Sequence, residues 1–179
     1  MNNSYQEYLN FSHKLADAAS ETSMQYFRTS LDIDNKSDDS PVTIADKNTE
    51  LKIRSLVEKE YPNHGILGEE FDSSNPDADF VWVIDPIDGT RSYIAGHKDF
   101  GNLISLTHNK KPIIGIINCP AHNERWVGVI NQQSTYNHEP ANTSEVKNIE
   151  DAYLFTSGLY FDEPHLRNAV DKIKNKVRY

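Results

Sequence analysis

The sequence predicts an α+β fold, a largely antiparallel sheet covered by two long helices and followed by the start of a second α/β unit. Three observations predict it. Apolar residues recur twice at three- and four-residue steps before Pro62, the period of one buried helix face. From Gly65 onward the texture changes to short apolar runs bounded by turn residues, as strands require. Beyond a polar, aperiodic stretch at residues 133–148, one short apolar run and one amphipathic segment follow, too little to enclose a core.

In chain order, Ser4-Tyr-Gln-Glu7 reads as a capping box. Tyr8, Phe11, Leu15, Ala19 and Tyr26 then line one face of a long first helix that runs toward Phe27. Leu31-Asp-Ile-Asp34 reads as a short strand and Asn35 to Ser40 as a polar loop. Thr43-Ile-Ala-Asp46 leads into a second amphipathic helix through Leu51, Ile53, Leu56 and Val57, which Pro62 ends. The expected strands are Gly65 to Gly68, Phe80 to Ile84, Leu103 to Thr107, Pro112 to Asn118 and Arg125 to Ile130. Asn109-Lys110-Lys111 and Pro120-Ala-His-Asn123 read as hairpin turns between them. In the second unit Tyr153 to Thr156 reads as a strand, Asp162 as the cap of a helix carrying Leu166, Ala169, Val170 and Ile173, and Val177-Arg-Tyr179 as the start of another strand. The expected division is residues 1–140 and residues 141–179, the latter a partial α/β domain.

Composition excludes several classes. With 18 Lys plus Arg against 27 Asp plus Glu, the net charge of −9 repels nucleic-acid phosphates and anionic membranes. The apolar runs Phe80 to Ile84 and Pro112 to Ile117 are too short to span a bilayer, and Met1-Asn-Asn-Ser4 lacks the regions of a signal peptide, so a cytoplasmic protein is expected. The single cysteine, Cys119, has no internal disulfide partner and reads as a buried structural thiol. The seven histidines are scattered and receive no ligand role.

The chemistry concentrates in Trp82-Val-Ile-Asp85-Pro-Ile-Asp88-Gly-Thr90. An apolar strand that turns at Pro86 can aim the Asp85 and Asp88 carboxylates at one point and leave the Ile87 carbonyl as a third hard oxygen. Oxygen-only ligation suits Mg2+, which keeps several waters and takes up substrate phosphate through the rest of its shell. Gly89 allows close backbone approach, and the Gly89 and Thr90 amides at the start of a following helix would bind an anion. Asp-Pro and Asp-Gly on their own are ordinary turn formers. It is the whole string after a strand that carries the signal. An acidic protein acting on a phosphate ester needs such cations, because its own carboxylates repel the substrate.

That string, with Gly68-Glu69-Glu70 upstream and Lys36-Ser-Asp-Asp-Ser-Pro-Val-Thr-Ile-Ala-Asp46 before it, resembles the inositol monophosphatase-like superfamily in block order and spacing. The resemblance implies a magnesium-dependent phosphate monoester hydrolase whose metal- and phosphate-binding domain is residues 1–140. Glu69, Asp85 and the Ile87 carbonyl would hold a first magnesium, Asp85 and Asp88 would share a second, and Gly89 and Thr90 would bind the phosphate. Glu69 and Thr90 would orient the attacking water, with Asp46 buttressing the threonine. Asp46 is also a natural helix cap. Glu70 and Lys36 receive no role.

Within the superfamily, Arg91-Ser-Tyr-Ile94, Gly101-Asn-Leu-Ile-Ser-Leu106 and Gly115-Ile-Ile-Asn-Cys-Pro120 with Glu124-Arg-Trp126-Val-Gly128 look most like the histidinol-phosphatase branch. Cys119 departs from the glutamine commoner there, and Trp126 also reads as a packed strand residue. The implied reaction is histidinol phosphate to histidinol, with inositol 1-phosphate or another small phosphate monoester, such as a nucleotide 3'-phosphate, as alternatives. A non-catalytic metal-binding remnant is the alternative of another class. In the family an aspartate in a Trp-Asp or Gly-Asp type block completes the second metal. Glu150-Asp151, Phe161-Asp162 and Val170-Asp171 lack its neighbours, so the chain is expected to be an incomplete form with little activity of its own. Uncovered apolar faces on the Tyr153 to Thr156 and Leu166 to Ile173 segments predict self-association, with a homodimer among the forms this allows.

Overall fold

Helix α1 (Gln6–Tyr26) and helix α2 (Ile44–Glu60) pack on one face of a seven-stranded sheet in a computed structural model that describes residues 5–30, 33–35, 41–155 and 163–178. A two-stranded antiparallel ladder, β1 (Ile33–Asn35) with β2 (Pro41–Thr43), precedes α2. The large sheet is built in chain order from β3 (Gly65–Gly68), β4 (Phe80–Asp88), β5 (Gly101–His108), β6 (Lys111–Cys119), β7 (Glu124–Val129), β8 (Thr135–Tyr136) and β9 (Glu139–Pro140). Only β3 and β4 pair in parallel; every other neighbouring pair is antiparallel, as the α+β expectation holds. A short helix α3 (Thr90–Ile94) lies between β4 and β5.

The alternation of buried residues fixes which sheet face meets the helices. Trp82 and Ile84 of β4, Ile104 and Leu106 of β5, and Ile114 and Ile116 of β6 are buried with Phe11, Leu15 and Ala19 of α1 and Ile53 and Val57 of α2. Each of the larger aliphatic or phenyl side chains among them contributes about 1.5–3 kcal/mol when removed from water. The other face carries Val83, Leu103, Ile117 and Trp126, and they line a shallow apolar groove of about 590 Å³ with Gly115 and Gly128 at its floor. Trp126 packs edge-tilted on Tyr136 of β8, ring centroids 4.9 Å apart.

Several elements differ from the sequence reading. Helix α1 begins at Gln6 with Tyr5 as N-cap and no side-chain capping bond, while Ser4 lies outside the described residues. Glu7 is used elsewhere: its Oε1 accepts from the Tyr61 hydroxyl at 3.0 Å. Leu31, Asp32 and the loop residues 36–40, Lys36 among them, also lie outside the described residues. Strand β4 does not stop at Ile84 but runs through Pro86 to Asp88. The turn at Asn109-Lys110 does form, with both residues at positive φ (49° and 62°), the backbone that a two-residue hairpin demands. The polar, aperiodic stretch 133–148 is not all irregular, because β8 and β9 extend the sheet there.

The chain divides into two compact units, Met1–Ala141 and Asn142–Tyr179. In the second, helix α4 (Pro164–Lys174) starts with Glu163 as N-cap and Pro164 in its first turn, where a missing amide proton costs nothing. Residues 153–155 form no strand, Thr156 and Asp162 lie outside the described residues, and Arg178 donates its amide to the Ala152 carbonyl at 2.8 Å without a ladder. Among the described residues no helix is long and apolar enough to cross a membrane.

Candidate active site

Side chains alternate along a regular strand, so residues three apart, such as Asp85 and Asp88, should face opposite sides of the sheet. Here they do not. Strand β4 pairs with β5 at Asp85 with Leu103 and next at Asp88 with Gly101, three steps on one strand against two on the other. The additional residue is a β-bulge, and it returns Asp88 to the face that Asp85 occupies, away from the helices. The bulge, not a turn at Pro86, aims both carboxylates.

Two residues fill the bulge on the helix side. Ile87, 1% exposed, is buried with Ala45, Tyr93 and Phe100. Pro86 has no amide proton for the ladder, and its carbonyl is taken instead by the side-chain amide of Asn102, Nδ2 to O 2.7 Å. Asn102 is fully buried and also receives Nδ2 of Asn118 on its Oδ1 at 2.8 Å.

Glu69 leaves the sheet at the same end of β4. The parallel ladder ends with Gly68 opposite Ile84, so Glu69 is the first residue beyond β3 and Asp85 the next residue along β4. Beyond Asp88, Gly89 adopts φ +86°, and a Cβ there would lie 2.9 Å from the Asp99 carbonyl oxygen. This left-handed residue starts α3, in which the Tyr93 amide bonds the Gly89 carbonyl at 3.0 Å.

Asp46 and Thr90 lie close, and Asp46 serves two purposes. Its Oδ2 accepts from the Thr43 amide at 2.8 Å and the Thr43 hydroxyl at 2.6 Å, so it is part of the capping box of α2. Its Oδ1 stands 3.4 Å from Thr90 Oγ1, which lies 3.0 Å from the Ile87 carbonyl. One hydroxyl proton cannot serve both, and the shorter contact marks Ile87 as the partner. Asp46, Thr90 and the Ile87 carbonyl therefore form one oxygen-rich edge beside the bulge.

The local field is negative. Cys119, half-buried rather than the buried thiol expected, has its thiol pKa pushed up by burial first, and then by the charges of Glu124, Asp88 and Asp99. Among the described residues no group of three or more His, Cys, Asp or Glu is arranged to hold an ion by itself. The donors at hand are oxygens only: carboxylates of Glu69, Asp85 and Asp88 and the Ile87 carbonyl. That set fits a hard divalent cation that completes its shell with water and phosphate oxygen, and it does not fit zinc.

The sequence reading missed the side chains that hold this backbone in place. Glu50 and Arg54 sit four apart on α2, a spacing that reads as an exposed ion pair, yet both are buried. Asn102 and Asn118 occupy helix-facing positions of β5 and β6. The one signal for them was a polar residue where strand alternation calls for an apolar one.

The sequence model of the inositol monophosphatase family matches residues 4–179. The chain is 40% identical over 166 residues to the bifunctional phosphatase IMPL2, chloroplastic, of Arabidopsis thaliana, covering 92% of the chain and 48% of that protein. It is 36% identical to a histidinol-phosphatase of Chlorobaculum parvum, covering 90% of the chain and 63% of the relative. Among solved structures, an inositol monophosphatase from Zymomonas mobilis superposes with a TM-score of 0.85 at 42% identity, covering 97% of this chain and 67% of that one. The chain thus spans about half to two thirds of the length of these relatives.

Proposed function

The chain belongs to the inositol monophosphatase family, and from that premise we propose that it works as a magnesium-dependent phosphate monoester hydrolase. The observation that carries the proposal is the bulge in β4, which sets Asp85 and Asp88 on one sheet face. Glu69, Asp85 and the Ile87 carbonyl would hold a first magnesium, and Asp85 with Asp88 a second. When bound, magnesium supplies positive charge for the phosphate and acidifies water.

The chain's own groups do the orienting. The Thr90 hydroxyl, donating to the Ile87 carbonyl, keeps a lone pair that would accept a hydrogen bond from the attacking water. Glu69 would accept the second hydrogen bond of that water, and the two together orient it. Asp46, pinned by both the amide and the hydroxyl of Thr43, stands behind Thr90 with its Oδ1 3.4 Å from the hydroxyl oxygen. The Gly89 and Thr90 amides, at the turn that starts α3, would donate to phosphate oxygens. No covalent intermediate is needed.

For the alcohol part of the substrate we favour histidinol phosphate. The Arg91-Ser-Tyr-Ile94 and Glu124-Arg-Trp126 blocks and the relatives that bear the name histidinol-phosphatase support it. The test is phosphate release at the full length of the relatives, from histidinol phosphate and inositol 1-phosphate side by side, with Mg2+ and with excess chelator. A higher kcat/KM for histidinol phosphate, lost with the chelator, is expected. Hydrolysis that survives chelation sinks the metal mechanism, and the reverse ranking sinks the substrate.

A further inference from the structure

Helix α2 carries a buried charge pair for which the chemistry above has no use. Glu50 is 0% and Arg54 8% exposed, with Arg54 Nε donating to Glu50 Oε1 at 2.7 Å. Taking two charges out of water is costly, and well-packed apolar residues are often as stable in such a place. Stability alone is a weak reason for this pair.

What the pair touches is more telling. The second carboxylate oxygen of Glu50 accepts from the Glu70 amide at 2.7 Å, and Arg54 Nη2 donates to the Phe71 carbonyl at 3.0 Å. The Arg54 guanidinium also lies 5.9 Å from the Phe71 ring centroid. On the other side, the Glu50 carboxylate lies against Gly68 so closely that any Cβ there would collide with it. Residues 68, 70 and 71 are thus all held by one ion pair, and the residue between them is Glu69. Both bonds are charge-assisted and accordingly short and directional.

We propose that Glu50 and Arg54 are positioning residues that fix Glu69 beside Asp85 for cation binding, an inference that rests on the ligand reading above. Beyond the end of the paired part of β3, nothing in the ladder sets the height of Glu69 over the sheet. The ion pair does so from the helix layer, through backbone atoms on either side of it. The pattern is that of outer groups which hold a metal ligand and whose loss typically weakens affinity by about 10–100-fold.

The test uses the 179-residue chain with Mn2+ as probe, titrated by electron paramagnetic resonance, alongside thermal unfolding and amide hydrogen exchange at Glu70. Glu50→Leu combined with Arg54→Leu removes both grips but leaves an apolar pair that packs. The expected result is a folded protein with faster Glu70 exchange and Mn2+ affinity weakened roughly tenfold. Should that variant not fold, Arg54→Lys keeps the charge pairing but cannot reach both Glu50 and Phe71, and a several-fold loss is expected. Native Mn2+ affinity in whichever of these variants folds would overturn the proposal and leave the pair a purely structural one. Glu69→Gln is the reference: if it too binds Mn2+ as the native chain does, the ligand reading itself has failed.

Discussion

The side-chain amide of Asn102 donates to the Pro86 carbonyl at 2.7 Å, across the two strands that carry the candidate site. It is the first link of a longer chain: Asn118 donates to Asn102, Arg125 Nε donates to Asn118 Oδ1 at 2.8 Å, and Arg125 Nη2 meets Asp17 of α1 at 2.8 Å. A proline in a central strand thereby has its carbonyl satisfied, and the bulge that turns Asp88 is tied to the first helix.

Asn102→Leu should therefore do more than fill space. It leaves the Pro86 carbonyl and the Asn118 amide buried with a lost partner each, at about 1–3 kcal/mol per group. Urea unfolding should show a loss of that order. A variant as stable as the native chain would mean that water replaces the side chain there.

Gly89 offers a test of backbone geometry. At an ordinary left-handed position asparagine is tolerated, as at Asn123 with φ 58°. At Gly89 even asparagine must fail, because any Cβ meets the Asp99 carbonyl oxygen at 2.9 Å. Gly89→Ala and Gly89→Asn should both lower the melting temperature, each by a few degrees for about 1–2 kcal/mol. Rescue by asparagine alone would show that the close approach to Asp99 is not rigid.

His64 predicts a pH dependence of stability. Its Nδ1 lies 3.1 Å from Trp82 Nε1, which can only donate, so Nδ1 must keep its lone pair and the ring is neutral in the fold. Stacking between Tyr61 and Phe80 buries it, and that burial lowers its pKa below 6.5. The unfolded chain then takes up the proton first. The stabilising contribution is complete above about 6.5 and is lost as pH falls from there through the folded value. His13 is shifted the same way, by burial first and then by Arg125 and His138. Unfolding free energies measured between pH 5 and pH 8 should fall on the acid side, and His64→Gln should flatten part of that slope. A slope that this variant leaves unaltered would remove His64 from the account.

How much of this was legible in the sequence depended on the length of each pattern. The two helices and the five longest strands of the sheet repeat an apolar period often enough to stand out; Asp85 and Asp88 drew notice by their own string, while Asp46 and Glu69 were named only through the family resemblance. The bulge was not legible, because Asp-Pro reads as the end of a strand and only the β5 register shows that the strand continues. Strands β8 and β9, two residues each, are shorter than any period. Glu50 and Arg54 look like a solvated helix pair, and their burial follows only once the Gly68 to Phe71 segment is folded against them.

Asp85→Asn should separate binding from folding most cleanly. Asp85 is the one residue assigned to both proposed cations, and the bulge sets Asp88 on the same sheet face. The amide keeps the shape of the side chain, so β4 keeps its register, and it removes one of the two like charges that the bulge sets on one face. Without metal the variant should thus be as stable as the native chain or slightly more so. With metal, a neutral amide cannot replace a carboxylate against a dication. A loss of about 3 kcal/mol, the scale of removing one partner of a buried charge pair, corresponds to roughly a hundredfold in affinity. Titration calorimetry with Mn2+ on native and variant chains, with melting curves in chelator as the folding control, measures both halves. Native affinity in a folded Asp85→Asn chain would place the cation elsewhere, and the proposed hydrolytic mechanism would fall with it.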